Sequence, residues 1–509
     1  MSKKRDKWAS RSTFILAAIG SAVGLGNAWR FPGLAAKHGG GTFLFVYLVA
    51  LFVMGIPLLM METSIARKLH KGAPEALRGV NKKAEFIGWS ATANAFVIVT
   101  YYSVVFAWVL LMAFSAFKFA DMTGNSEAAS NLFFDVTKLT GAIDGVNIPL
   151  AVLIALGLAW ALIYFCIKDG ASSVGKVVKY TVFLPIILLL IMAVKGCMMP
   201  GAMDGIRKFF IPDPTAFYDA SLWIDAVGQV FYSLSIMMAI MFAYGSYLDE
   251  SSNLAEDCVI IALSDAAVSI LSGIVMFSTM GGVGMLDNIS SSGIATAFII
   301  YPQAIVNLTS IGWVNALFGV IFYMMLVTLA IDSAFSIVEG VSAAVSDKFK
   351  LNPRKTTVGI CCIAGVISLL YATRSGLAWL DIVDAWTNQF NLIIIGILEC
   401  LAVGWCFSTK KVLEQINRNT TKFKMPALWF QISIKVISPL ALTILFIWNI
   451  YTLFVTNKGH YNADYPIWAE IVAGWVVTAL VFLSGLIVRL VVKHKTKKGF
   501  VEEEIKWED

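Results

Sequence analysis

Residues 20–32 read Gly20-Ser21-Ala22-Val23-Gly24-Leu25-Gly26-Asn27-Ala28-Trp29-Arg30-Phe31-Pro32. The surrounding stretch is apolar enough to enter a bilayer, yet three glycines, an asparagine and an arginine interrupt it at membrane depth. A glycine costs about 1 kcal/mol in a helix interior, and an intramembrane arginine at least about 2.5 kcal/mol. Non-helical backbone is tolerated at that depth where it lines a polar cavity inside protein. The segment therefore predicts that a small ion or solute is handled halfway across a membrane.

With 58% of residues hydrophobic, 14% charged and a mean hydropathy of +0.76, the chain fits no soluble globular domain. It reads as an all-α polytopic membrane protein. About twelve spans are predicted, near 12–36, 42–68, 86–118, 147–167, 175–195, 222–248, 257–285, 313–345, 356–372, 378–408, 427–455 and 466–492. The first is not a cleavable signal peptide, because many spans follow it and no small-residue cleavage site closes a plain apolar core.

Basic residues cluster before span one (Lys3, Lys4, Arg5, Lys7, Arg11), after span two (Arg67, Lys68, Lys71, Arg78) and after span eight (Lys348, Lys350, Arg354). They recur after span ten (Lys410, Lys411, Arg418) and in the C-tail (Lys493, Lys495, Lys497). Twelve spans put all of these on one side, so both termini are expected to be cytoplasmic. The net charge of +6 is this bias and not a nucleic-acid footprint. The seven cysteines show no metal spacing, and the four histidines lie at span ends or in loops, which argues against metal-hydrolase chemistry.

The interior ionisable residues are Arg30, Glu62, Asp265, Asp332, Glu339, Asp384 and Glu399. Such residues are functional candidates by default, and an excess of carboxylates suits a cation. The bland alternative, pairing with helix ends or with each other while protonated, stays open for Glu62, Glu339 and Glu399. A second interruption, Gly228 to Met238 in span six, mirrors the first five spans later. Two broken spans in corresponding positions are the expected mark of an inverted repeat with a midplane site. Freed N–H groups there favour a carboxylate and freed carbonyls a cation.

The run Gly20 to Pro32, Gly39-Gly40-Gly41, Gly55-Ile56-Pro57, Tyr101-Tyr102, the Ser233/Ser235 break and Leu329-Ala330-Ile331-Asp332-Ser333 resemble the neurotransmitter:sodium symporter family, most of all its bacterial amino-acid transporters. The resemblance covers nearly the whole chain. It implies a 5+5 inverted-repeat core, residues 12–195 and 222–408, joined by an extracellular connection at 196–221. Peripheral spans over 425–492 and cytoplasmic tails at 1–11 and 493–509 complete it.

The resemblance also implies two Na⁺ sites. One would use Ala22, Asn27, Ser233 and Asp265; the other Gly20, Val23, Leu329, Asp332 and Ser333. Na⁺ is a hard cation served by several oxygens, which unwound backbone supplies. The substrate carboxylate would meet Ala22-bound sodium, the amides of Leu25 and Gly26, and Tyr102. Its side chain would meet Ile98, Tyr232, Ser233, Ser235, Met237, Met238, Ser333 and Ile337. The family's amine carriers have an aspartate where Gly24 stands, so an amino-acid substrate is expected. Arg30 and Asp384 would form an outer ion pair under the Tyr102 and Tyr232 lid, and Arg5, Trp8, Tyr247 and Asp347 an inner gate.

Two positions depart from the family pattern. Asp265 replaces a common asparagine one helical turn before Ser269, so chloride is not expected to be needed. Met237-Met238 replace a glycine and an aromatic residue, which reshapes the pocket floor. The reading is a sodium-coupled symporter importing an apolar or aromatic amino acid across a bacterial inner membrane, in contact with lipid and not an enzyme. The alternatives are a carrier of another small zwitterion, or a cation channel or sensor on the same fold.

Overall fold

The computed structural model describes residues 7–290 and 292–507. The regular elements among these residues are all helices, with no strand and one isolated bridge between Gly40 and Pro212. Nine helices are long and apolar enough to cross a membrane, and the pair Arg11–Ala22 and Gly26–Lys37, bent by 52°, makes a tenth. Two further elements stand where spans six and nine were expected. One is the interrupted pair Ala220–Ser233 and Ile240–Ser246; the other is the 16-residue helix Pro353–Ser368. The three helices, of 14, 7 and 16 residues, are each shorter than the roughly 20 residues that cross a 30 Å hydrocarbon layer unaided.

The first interruption has a local cause. Ser10 caps Arg11–Ala22 by accepting from Thr13 N–H at 3.2 Å. The helix stops because Val23 is extended (φ −77°, ψ 98°) and Gly24 N–H donates to Asn27 Oδ1 at 2.9 Å. That bond takes the donor that would have met the carbonyl of Gly20, and the helix loses its i−4 ladder there. A wide π-type turn, Gly26–Arg30, and a proline in the first turn of Phe31–Lys37 then restart the helix.

In span six the interruption is sharper. Ser235, Met237 and Ala239 all have left-handed backbone (φ 53°, 64° and 61°). L-residues adopt this region at a cost that persists where surrounding structure over-determines it. Glu62 provides such a restraint, accepting from Met237 N–H at 2.6 Å. Ser235 Oγ ties the two breaks together by donating to the carbonyl of Ser21 at 2.9 Å. Both breaks face the helices Glu85–Ser115 and Gly312–Phe349, which pack on one another.

Lys71, Lys348 and Lys495 lie together, since Lys71 pairs with Glu503, Lys348 with the adjacent Glu502, and Lys495 sits 4.7 Å over the Phe349 ring. His70 faces the carbonyl of Ser246 at 3.1 Å, bringing the end of span six to this Lys/Arg-rich face.

Candidate functional site

Between the two breaks lies a small cavity of about 30 Å³. All of the expected substrate residues except Met237 line it. Ala22, Leu25 and Gly26 come from the first break, Ser233, Ser235 and Met238 from the second, and Ile98, Tyr102, Ser333 and Ile337 from the two flanking helices. Tyr232 lies over Gly26, where a Cβ would stand 2.7 Å from its ring.

Met237 is a correction. It is fully buried but turned away from the cavity, its Cε 2.6 Å from where a Cβ on Gly396 would be. Ile240 takes a place in the lining instead, with Ser21. Alternating left-handed residues redirect successive side chains in a way that helical spacing does not describe. The signal that could have found Ile240 is its position as the first helical residue after the break.

The residues expected at the first cation position converge. Asn27 Nδ2 donates to Ser233 Oγ (2.9 Å), Asp265 Oδ1 (2.7 Å) and Ser269 Oγ (2.8 Å). Ser233 Oγ reaches both carboxylate oxygens of Asp265 at 2.8 and 2.7 Å, and Tyr47 donates to Oδ2 at 3.3 Å. Ser269 and Tyr47 were not among the expected ligands. Asn27, Ser233 and Asp265 are all fully buried, and the oxygens gathered on the amide group are of the kind a hard cation takes.

At the second position Asp332 is buried, and its Oδ1 has no hydrogen-bond partner among the described residues. A Cβ on Gly20 would stand 2.6 Å from Asp332 Oδ2, so the glycine lets the carboxylate reach the backbone of the first break. Ser333 Oγ points at the carbonyl of Leu329, 3.5 Å away, and Val23 ends the facing helix. An orphaned buried carboxylate oxygen beside freed carbonyls fits a monovalent cation. Tyr102 Oη likewise makes no hydrogen bond among the described residues; it is 3.8 Å from where a Cβ on Gly24 would lie.

The gates differ from expectation on the outer side. Among the described residues no ion pair within 4.0 Å joins Arg30 to Asp384. The guanidinium lies 5.5 Å over the Tyr232 ring, while Asp384 accepts from Tyr101 (2.7 Å) and Asn388 (2.8 Å). The carboxylate is thus already served, and the arginine gains a cation–π contact instead. On the inner side, Trp8 Nε1 donates to the Tyr244 carbonyl at 2.9 Å and its ring meets Tyr244 and Tyr247 edge-on at 5.2 and 5.8 Å. Tyr247 donates to Glu339 at 2.5 Å, and Asp347 accepts from Gly72 N–H at 2.6 Å. Arg5 lies outside the described residues.

Comparison with known proteins identifies the family. The model of the sodium:neurotransmitter symporter family matches residues 5–131 and 120–497. An uncharacterised sodium-dependent transporter of Methanocaldococcus jannaschii is 32% identical over 98% of this chain and 99% of its own length. The sodium- and chloride-dependent GABA transporter 2 of Homo sapiens is 28% identical over 93% of this chain and 84% of its own. A sodium-dependent neutral amino acid transporter of Mus musculus, B(0)AT3, is 28% identical over 95% and 91%. Two broken spans around a polar cavity, in a chain matched over nearly its full length, mark a multi-pass carrier and not an enzyme: the chain belongs to the sodium:neurotransmitter symporter family and is a sodium-dependent solute transporter.

Proposed function

We propose that the protein is a symporter that imports an apolar amino acid together with Na⁺ at two sites. The observation that carries this reading is the cavity between the breaks, polar at Gly24, Leu25, Gly26 and Tyr102 and apolar at Ile98, Met238, Ile240 and Ile337. The polar end suits a carboxylate and the apolar end an aliphatic or aromatic side chain. Gly24 supports an amino acid over a bare amine, because a carboxylate side chain there has no room beside Ser333 Oγ, 2.6 Å from its Cβ position.

The first sodium is held by Ser233, Asp265, the carbonyl of Ala22 and the Oδ1 of Asn27, whose amide turns over so that oxygen replaces Nδ2 towards the ion, and the substrate carboxylate completes its shell. The second is held by Asp332, Ser333 and the carbonyls of Gly20, Val23 and Leu329. Both sites share the first break, so filling one pre-orders the other. Asp265 supplies the negative charge in place of a bound chloride. One helical bundle rocks against a scaffold around the cavity, alternately releasing Tyr232 and Trp8. The Lys/Arg-rich face is cytoplasmic, in a bacterial inner membrane.

The relatives named for GABA transport support a second reading, a longer zwitterion such as an ω-amino acid. Thermal stabilisation of the purified protein by each amino acid, in Na⁺ and in K⁺, separates the two. A ligand at a hundred times its Kd adds about 2.7 kcal/mol. Sodium-dependent stabilisation by apolar α-amino acids supports the first reading, and stabilisation by GABA or taurine alone supports the second. No stabilisation by any of them in Na⁺ overturns both.

A further inference from the structure

A second opening lies away from the breaks, at the Lys/Arg-rich face. It is a groove of about 700 Å³ between the start of Arg11–Ala22, the start of Leu254–Gly282 and the turn that leads into Ala427–Thr456. That size falls within the roughly 300–1,000 Å³ of sites that hold a small molecule.

A carboxylate builds the groove by holding the turn. Glu256 Oε1 accepts from the backbone N–H groups of Thr421 (3.3 Å), Lys422 (2.5 Å) and Phe423 (3.4 Å), and from the Thr421 hydroxyl at 3.2 Å. Successive N–H groups of this kind form an anion-binding nest, and here Glu256 fills it. The turn is thereby fixed to the helix Leu254–Gly282, with Lys422 and Phe423 in the wall of the groove. Arg11 crosses from the first span: its Nε donates to Asp257 Oδ1 at 2.6 Å, and its Nη2 lies 3.5 Å from Glu256 Oε2.

The charges do not cancel at the surface of the groove. Asp257 is buried behind Arg11, and Glu256 is taken up by the turn. Arg11 Nη1 and Lys422 Nζ make no hydrogen bond or ion pair among the described residues, and both side chains are exposed. The hydroxyls of Ser10 and Ser12, 2.8 Å apart, complete this rim. Spare cationic donors beside hydroxyls suit a phosphate, which takes charge-assisted hydrogen bonds. Below the rim the wall is apolar, with Ile15, Val259, Ile260 and Phe423. Ile260 and Leu263 are exposed one turn apart on one helix, and Leu428 and Ile432 one turn apart on the other. These stripes carry the apolar wall on toward mid-membrane. A soluble phosphate compound would satisfy the rim and leave them bare.

We propose that this groove is a binding site for an anionic phospholipid. Its phosphate sits between Lys422 and Arg11, and its acyl chains run down Ile15, Ile260 and Phe423. A choline headgroup is disfavoured, because Glu256 already serves four donors and has no oxygen to spare for a second cation. A filled groove ties the first turn of span one to span seven and to the turn before span eleven.

The test uses purified full-length protein in detergent and phosphatidylglycerol carrying a photoactivatable diazirine in one acyl chain. Cross-links are expected on peptides covering residues 12–16 and 256–263. Unlabelled phosphatidylglycerol should displace them at concentrations about fivefold lower than phosphatidylcholine needs. Lys422→Gln is expected to weaken phosphatidylglycerol about fivefold, the usual contribution of one lysine beside an anionic headgroup, and Lys422→Arg to restore it. The Lys422 ammonium holds no partner among the described residues, so both variants keep the melting temperature of the unaltered chain without lipid. Ile260→Trp fills the apolar wall and should remove the cross-links on 256–263. Cross-links spread evenly over the lipid-facing helices, equal displacement by phosphatidylcholine, or unchanged affinity in Lys422→Gln overturns the proposal. Displacement by sn-glycerol 3-phosphate overturns it too, because the rim would then serve a soluble phosphate. None of these readouts involves the transported solute, so the result stands or falls apart from the substrate reading.

Discussion

Gly20 and Asp332 are packed so closely that a Cβ on the glycine would stand 2.6 Å from Asp332 Oδ2 and 3.0 Å from Val182. The carboxylate can reach the first break only because position 20 carries no side chain. Gly20→Ala is therefore expected to displace Asp332 and to weaken the response to sodium at least tenfold, about 1.4 kcal/mol. The melting temperature against Na⁺ concentration measures this, and the value in K⁺ should change far less. An unchanged sodium midpoint would remove Asp332 from the cation site.

Asp265 accepts hydrogen bonds from Asn27, Ser233 and Tyr47 and brings the only formal charge among these four side chains. Charged hydrogen bonds contribute about 1.5–3 kcal/mol. Asp265→Asn is expected to raise the sodium requirement by one to two orders of magnitude, roughly that energy. Replacing chloride by gluconate should leave uptake by the unaltered protein as it was. A collapse of uptake in gluconate would show that the carboxylate does not stand in for an anion.

Met237 sits in the space left by Gly396, with Leu442 closing the far side 3.0 Å from the Cβ position. Gly396→Ala is expected to push Met237 back on the left-handed segment and so disturb Met238 and Ile240 in the cavity. Overpacking of this kind costs about 1–3 kcal/mol. Met237→Ala in the same chain should restore both thermal stability and solute affinity. Additive losses in the double variant would show that the two residues act independently.

Glu502, which pairs with Lys348 and Arg78, gives the docking of the C-terminal residues a pH dependence. Burial pushes its carboxyl up, but the hydrogen bond and charge of Lys348, with Arg78 beside it, outweigh this and hold it below its ordinary value of 4.5. A carboxyl depressed in the folded state contributes stability that is complete above the ordinary value and lost as pH falls through the lowered one. Protection of residues 499–507 from exchange is thus expected to be flat from neutral pH to about 5 and to fall below 4.5. Glu502→Gln should already lack this protection at neutral pH.

Much of the site was legible because it is costly. Glycines, Asn27 and Arg30 inside an apolar stretch, and Asp265 and Asp332 in later spans, stand out against any lipid-facing helix, and the structure gathers Asn27, Ser233 and Asp265 within hydrogen-bond reach. Ser269 joins them because it lies one turn after Asp265 on the same helix face. Tyr47 could not be read in the same way, since it comes from a different helix whose rotation depends on packing.

The sequence by itself determined the class of the molecule, the depth of its two breaks and the types of residue that meet there, because hydropathy and the expense of buried polar groups act position by position. Only the tertiary structure decided where side chains turn once the backbone leaves the helix. Left-handed φ at Ser235, Met237 and Ala239 sends Met237 to Gly396 and leaves Ile240 in the cavity. It also decided that Arg30 rests on Tyr232 while Tyr101 and Asn388 serve Asp384, and that Glu502 reaches Lys348 across 154 residues. Those choices are competitions between partners distant in the chain. Their outcome depends on packing that no local pattern encodes.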